Sequence, residues 1–202
     1  MCRALSDWEK AVEFHGHACP GLAAGYRAAQ IALRELEKER AQDEELVAVV
    51  ETDACGVDAI QALTGCTLGK GNLLYRDYGK HVFTFICRES GRAVRVAIKA
   101  SAWQQDEAYR ELRKRVFGKE ASEEEKALFQ QYQERRMHYI LEAPEEEICE
   151  VQRLEIEPPP KARLFDSVIC SVCGEAVAEV RARVRGGRPV CIPCAEQYSR
   201  GW

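Results

Sequence analysis

Apolar residues recur at three- and four-residue spacing from Pro20 to about Gln42, at Leu22, Tyr26, Ala29, Leu33 and Leu36, with Glu and Lys between them. That period predicts an amphipathic helix, and Pro20 suits its first turn, where a backbone N–H has no partner to lose. Leu46 to Thr52 is a Val-rich run of strand length, and Gly56 to Leu63 then places Val57, Ile60 and Leu63 on one helical face, so a strand feeds a second helix. His81 to Cys87 and Ala93 to Ala100 are rich in Val, Ile and Phe and flank Glu89-Ser90-Gly91-Arg92, which predicts a hairpin. From Ser101 to about Glu142 the chain is charged and helical, with a capping box at Ser122 and Glu125 opening its second helix. Val151 to Glu157 reads as one more strand. The pattern describes an α+β core.

Pro158-Pro159-Pro160 interrupts it with a stiff, extended connection. The expected organisation is a core over residues 1–157, with the charged helical segment at 101–142, then a Pro-rich linker at 158–164 and a four-cysteine zinc-ribbon domain at 165–202. No internal repeat or low-complexity tract is visible.

Composition adds a chemical constraint. The chain has 202 residues, enough for a sizeable hydrophobic core, and ten are cysteine. It does not open on an apolar run of the signal-peptide kind, and no stretch approaches the roughly 18 apolar residues of a membrane span. A cytoplasmic location is therefore expected, where cysteines serve as metal ligands or reactive thiols rather than as a disulfide framework. The net charge of −4 is uneven: residues 161–202 carry +3, which leaves −7 on the rest. An acidic body is unlike a general nucleic-acid binder, whereas the basic tail keeps nucleic acid or an acidic protein open as its partner.

The tail has the more specific signal. Cys170-Ser171-Val172-Cys173 and Cys191-Ile192-Pro193-Cys194 are two C-x-x-C pairs with seventeen residues between them, the spacing of a tetrahedral four-thiolate Zn2+ site. The intervening EAVAEVRARVRGGRPV alternates and turns at Gly186-Gly187, as a small hairpin does. About forty residues cannot build an adequate core alone, so metal supplies folding energy there. A redox thiol pair or an iron–sulfur site fits the paired spacing less well. Arg181, Arg183, Arg185 and Arg188 suit phosphate contact, a solvated hairpin face or a dimer contact.

The body carries a second constellation. His15, His17 and Cys19 fall within five residues just before the Pro20 helix, and alternate side chains converge if this segment is extended. Cys19 sits near a helix N-terminus, where the positive end of the macrodipole favours a thiolate. Cys55 repeats that placement where a strand gives way to a helix. Together His15, His17, Cys19 and Cys55 offer soft and borderline ligands for a second transition metal, Zn2+, Fe or Ni2+, with Asp53 or Asp58 as supporting carboxylates or general bases. Cys19 and Cys55 are equally the candidate catalytic nucleophiles, with a histidine as base. The plain alternative is a packed cysteine beside hydrogen-bonded histidines. Gly65-Cys66-Thr67-Leu68-Gly69-Lys70-Gly71 looks like a phosphate loop but has three residues where the Walker pattern needs four, and Gly after the Lys. Its glycines are expected to bring the backbone, with Cys66 and Lys70, close to the site. Cys2, Cys87 and Cys149 lack metal-type spacing and read as packing residues.

FHGHACPG, VETDACGVDAIQALTGCTLGKGNL and YRDYGKHVF together resemble the FmdE family of formylmethanofuran dehydrogenase components, over roughly the first hundred residues. The resemblance implies an α+β core in an intertwined homodimer, with a metal site near the motif residues, here His15, His17, Cys19 and Cys55. Some members append a C-terminal zinc finger, which Cys170, Cys173, Cys191 and Cys194 resemble. It further implies a non-catalytic role beside a molybdenum or tungsten enzyme. Three functions follow as expectations: a metal-binding accessory or redox-related protein whose ribbon docks or dimerises; a metal-sensing regulator whose ribbon binds nucleic acid or a protein; and a Cys/His enzyme.

Overall fold

Ser6 opens the first helix, α1 (Asp7–His15), by accepting the Glu9 N–H while the Glu9 carboxylate accepts the Ser6 N–H at 2.7 Å. Helix α2 (Pro20–Leu36) stops at Leu36 rather than near Gln42 because Glu37 turns left-handed, with φ 53°, and closes the last turn with its own N–H. Strand β1 (Leu46–Val50) then leads into α3 (Gly56–Thr64), β2 (Leu73–Tyr75), β3 (Val82–Cys87) and β4 (Arg92–Ile98). A turn of 3-10 helix precedes α4 (Glu107–Phe117) and α5 (Glu123–Glu142), the latter opened by the expected Ser122/Glu125 capping box, and α6 (Glu145–Ile148) ends at β5 (Cys149–Glu155). This computed structural model describes residues 5–103 and 106–196, and the chain divides into two units, 1–161 and 162–202. Cys2 lies outside the described residues.

The first unit is built on a five-stranded sheet of order β2-β1-β3-β4-β5, in which β1 and β2 are parallel and every other pair is antiparallel. Alternate residues send Leu46, Ala48, Val50, Phe83, Phe85, Val94 and Val96 to one face, where they pack with Leu22, Ile31, Ile60 and Ile140 of the helices. The opposite face holds a smaller cluster of Val47, Ile86 and Ala93, against which Ile156 packs. There Arg88, paired with Glu44 at 3.2 Å, also donates to the Pro159 carbonyl, so the Pro-rich segment leaves the sheet tethered to it. Arg27 of α2 donates to the Leu141 and Ala143 carbonyls, which satisfies the last turn of α5 and fixes the charged helical segment to the core.

Helices α2 and α3 meet without side chains between them. A Cβ at Gly25 would lie 2.0 Å from the Gly56 carbonyl oxygen, and one at Gly56 would lie 3.2 Å from the Phe83 ring. The contact is possible only because both residues lack a side chain.

In the second unit, β6 (Ser167–Ile169) pairs antiparallel with β7 (Ala176–Ala178), and β8 (Arg183–Arg185) pairs with β9 (Arg188–Val190) around left-handed Gly186 and Gly187. The fold is thus an α+β core followed by a small unit of two hairpins with clustered cysteines.

Gly25→Ala is expected to lower stability by about 3 kcal/mol, seen as a fall of roughly 6–12 °C in Tm. Gly69→Ala, with nothing within 4 Å of its Cβ position, is the control and should melt like the wild type.

Candidate metal centre

Helix α1 ends at His15 because Gly16 takes a left-handed conformation, φ 93°, and turns the chain sharply into the extended approach to α2. His15 and His17 thereby come together with ring centroids 4.4 Å apart. Cys19 is the N-cap of α2; its Sγ accepts the Leu22 N–H at 3.3 Å and lies 3.9 Å from His15 Nε2. Ligand atoms of His15, His17 and Cys19 all fall within 4.8 Å of one another. The expectation of an extended 15–19 segment is corrected here: His15 belongs to a helix, and the turn at Gly16 brings about the convergence.

The imidazole is held from behind. His15 Nδ1 lies 2.7 Å from Asp58 Oδ2 in the first turn of α3, and Gln61 Nε2 donates to Asp58 Oδ1 at 3.4 Å. With the Asp58 carboxylate accepting from Nδ1–H, the lone pair of His15 is left on Nε2, the nitrogen facing Cys19. This is the carboxylate–histidine arrangement found behind metal-binding imidazoles. Gln61 is not among the residues that the sequence motifs single out, and its one signal is the three-residue offset that puts it on the same face of α3 as Asp58.

Cys55 is outside the three-residue set but stands beside it. At the start of α3 it makes no capping hydrogen bond, and a Cβ at Gly21 would touch Cys55 Cβ at 3.2 Å and Cys19 Sγ at 3.9 Å. Burial first, and then the neighbouring Cys19 thiol, hold Cys55 above its ordinary pKa. A cation among these sulfurs and nitrogens removes the cause of that rise by taking the place of protons.

A cavity of about 480 Å³ opens beside the cluster, lined by His15, Cys55, Asp58 and Gln61 on one side and by Leu68 and Tyr75 on another. The glycine-rich loop contributes Leu68 to it. Cys66 and Lys70 go elsewhere: Cys66 Sγ donates to the Leu46 carbonyl at 3.3 Å, and Lys70 Nζ reaches the Ala41 and Gln42 carbonyls. Burial pushes the Cys66 thiol up to about 11, so it is a packed core group rather than a reactive one. Buried Asn72 sets this path, with Oδ1 accepting the Thr67 N–H and Nδ2 donating to the Asp43 and Leu46 carbonyls. Cys87 and Cys149 are buried, as expected of packing residues.

In the second unit Cys170 and Cys173 occupy the turn between β6 and β7, which Gly174 closes at φ 77°, and Cys191 and Cys194 frame a 3-10 turn after β9. The four sulfurs lie within 4.8 Å of one another, with Cys173 and Cys191 3.9 Å apart. A tetrahedron with Zn–S bonds of about 2.3 Å has sulfurs about 3.8 Å apart, so the set fits the ion. N–H groups of Cys173, Cys191 and Val172 hold the Cys170 thiol down to about 6, whereas Cys191 and Cys173 push Cys194 up to about 12. Four thiolates can therefore coexist here only around a cation. The unit's own core is small, with Cys170, Val190 and Cys191 buried against Val177, Cys194 and Ala195.

Comparison with known proteins matches both parts. The model of the FmdE family, described as "FmdE, Molybdenum formylmethanofuran dehydrogenase operon", covers residues 14–150, and that of the prokaryotic dksA/traR C4-type zinc finger covers residues 163–200. The chain is 35% identical to a probable S-adenosyl-L-methionine-binding protein of Archaeoglobus fulgidus over 94% of its own length and 52% of that protein, so it spans about half of this curated relative. An FmdE-like protein of tungsten formylmethanofuran dehydrogenase from Syntrophus aciditrophicus has a similar solved structure, with TM-score 0.61 and 28% identity over 92% of this chain and 88% of that one. Among the described residues no helix is long and apolar enough to cross a membrane.

Asp58→Asn should weaken metal binding at the His15 cluster roughly tenfold to a hundredfold, read by competition with a chromogenic chelator, while leaving the four-cysteine unit unchanged. Equal affinity in the variant would show that the Asp58 contact does not prepare His15.

Proposed function

The chain belongs to the FmdE family, and on that premise we propose that it is a metal-binding accessory protein with two sites of different kinds. His15, His17, Cys19 and Cys55 hold a transition metal in the core, and Cys170, Cys173, Cys191 and Cys194 hold a structural Zn2+. The observation that carries the core site is the Asp58–His15 contact at 2.7 Å, which turns Nε2 toward His17 and Cys19. Imidazole and thiolate donors suit Zn2+, Fe or Ni2+. An ion bound there supplies Lewis acidity; the protein's part is to orient His15 through Asp58, set Cys19 at a helix N-terminus and leave one side of the site facing the cavity.

The zinc ribbon, closed by four sulfurs, serves docking or dimerisation rather than chemistry. The family's description and the name of the Syntrophus relative support a partner in a molybdenum or tungsten enzyme system and a homodimeric core.

A second reading is favoured by the cavity of about 480 Å³ against His15 and Cys55, a volume within the ordinary range of small-molecule sites. The name of the Archaeoglobus relative makes S-adenosyl-L-methionine a candidate occupant.

Elemental analysis of chelator-free protein tests the two sites separately. The wild type should carry about two equivalents of metal per chain, Cys170→Ser/Cys173→Ser should keep the core equivalent, and His15→Ala or Cys19→Ser should lose it. A wild type with the ribbon equivalent alone, unaffected by His15→Ala, would sink the core-metal reading.

A further inference from the structure

The charged side chains lining the cavity beside the core cluster are Asp53, Asp58 and, when protonated, His15; no Lys or Arg is among them. A phosphorylated or otherwise strongly anionic ligand would meet carboxylates with no cation to receive it. Asp58 is already engaged, with one oxygen toward His15 and the other accepting from Gln61. Asp53 has no hydrogen bond or ion pair among the described residues, and it stands close enough to Tyr75 to act electrostatically on its phenol.

The remaining walls are largely apolar, formed by Val50, Val57, Leu68 and Leu73. Leu68 is 73% exposed and Tyr75 44% exposed, although both lie against this space, so two large side chains at its rim await a covering group. The Tyr75 ring is in addition a surface to which a cation is drawn.

We propose that this cavity binds an organic cation: a ligand with an apolar body that lies on Leu68, Leu73 and Tyr75, and a positive centre that Asp53 meets. A sulfonium or a substituted ammonium has this chemistry. The proposal rests on the small-molecule reading above and adds to it the site and the means of selection.

S-adenosyl-L-methionine and S-adenosyl-L-homocysteine differ by one methyl group and by the charge on sulfur, so they serve as paired probes. Isothermal titration calorimetry on the metal-loaded full chain at low ionic strength should give a Kd roughly tenfold lower for the sulfonium than for the neutral thioether, a preference typical of one charge-assisted contact. Asp53→Asn should bring that ratio close to one while leaving the thioether Kd unchanged, with Tm as the check on folding. A wild-type ratio near one, or a ratio that survives Asp53→Asn, would overturn selection by charge at this cavity and leave small-molecule binding standing. Failure of both probes to bind at millimolar concentration would overturn this inference together with the S-adenosyl-L-methionine reading, and would leave the metal reading untouched.

Discussion

Two helices touch backbone to backbone at Gly25 and Gly56, and the geometry of the core site depends on that contact. Cys55 immediately precedes Gly56, and Cys19 lies less than two turns before Gly25, so the closeness of the helix axes places both N-terminal cysteines side by side. Gly21, one turn before Gly25 on the same face, leaves room for the Cys55 side chain at 3.2 Å from its Cβ position. The positive ends of α2 and α3 also meet here. Such an encounter is unfavourable unless negative charge collects between them, and Cys19, Cys55 and Asp58 are the groups that can supply it. The close approach thus dictates both where the ligands stand and what charge they carry.

Much of this was legible from the sequence because local rules govern it. The helix after Pro20, the hairpin of β3 and β4, the Ser122 capping box and the turn at Gly186-Gly187 follow from spacing and turn chemistry alone. Helix α1 escaped the periodicity because it is nine residues long and only Ala11 is fully buried; its signal was the Ser6/Glu9 capping box. Strand β2 is three residues long and pairs in parallel with β1, a non-local partner that a period cannot announce.

The candidate site was legible as a set of residue types and illegible as geometry. His15, His17 and Cys19 were visible through their crowding in five positions, but their convergence depends on the left-handed turn at Gly16 and on Asp58, forty-three residues away. Cys66 and Lys70 show the converse. They sit in a loop that does reach the cavity, yet the hydrogen bonds of Asn72 settle which of its side chains face inward, and Leu68 is the one presented there. Spacing identifies residues that can share a site; long-range polar contacts decide which of them do.

The two clusters also differ in how much the surrounding protein needs them. Unit 162–202 buries little beyond Cys170, Val190 and Cys191, so its four sulfurs have to be tied by an ion for the hairpins to hold. The core has a continuous apolar interior running from Leu22 through Phe83 and Phe85 to Ile140, and that interior does not pass through His15, His17 or Cys55. A site whose removal leaves the fold intact is free of the requirement to be closed. It can keep one side toward a cavity, exchange its ion or admit a ligand without unfolding the scaffold, whereas a site that holds its domain together cannot. On these grounds chemistry belongs to the His15 cluster and architecture to the four cysteines of the ribbon.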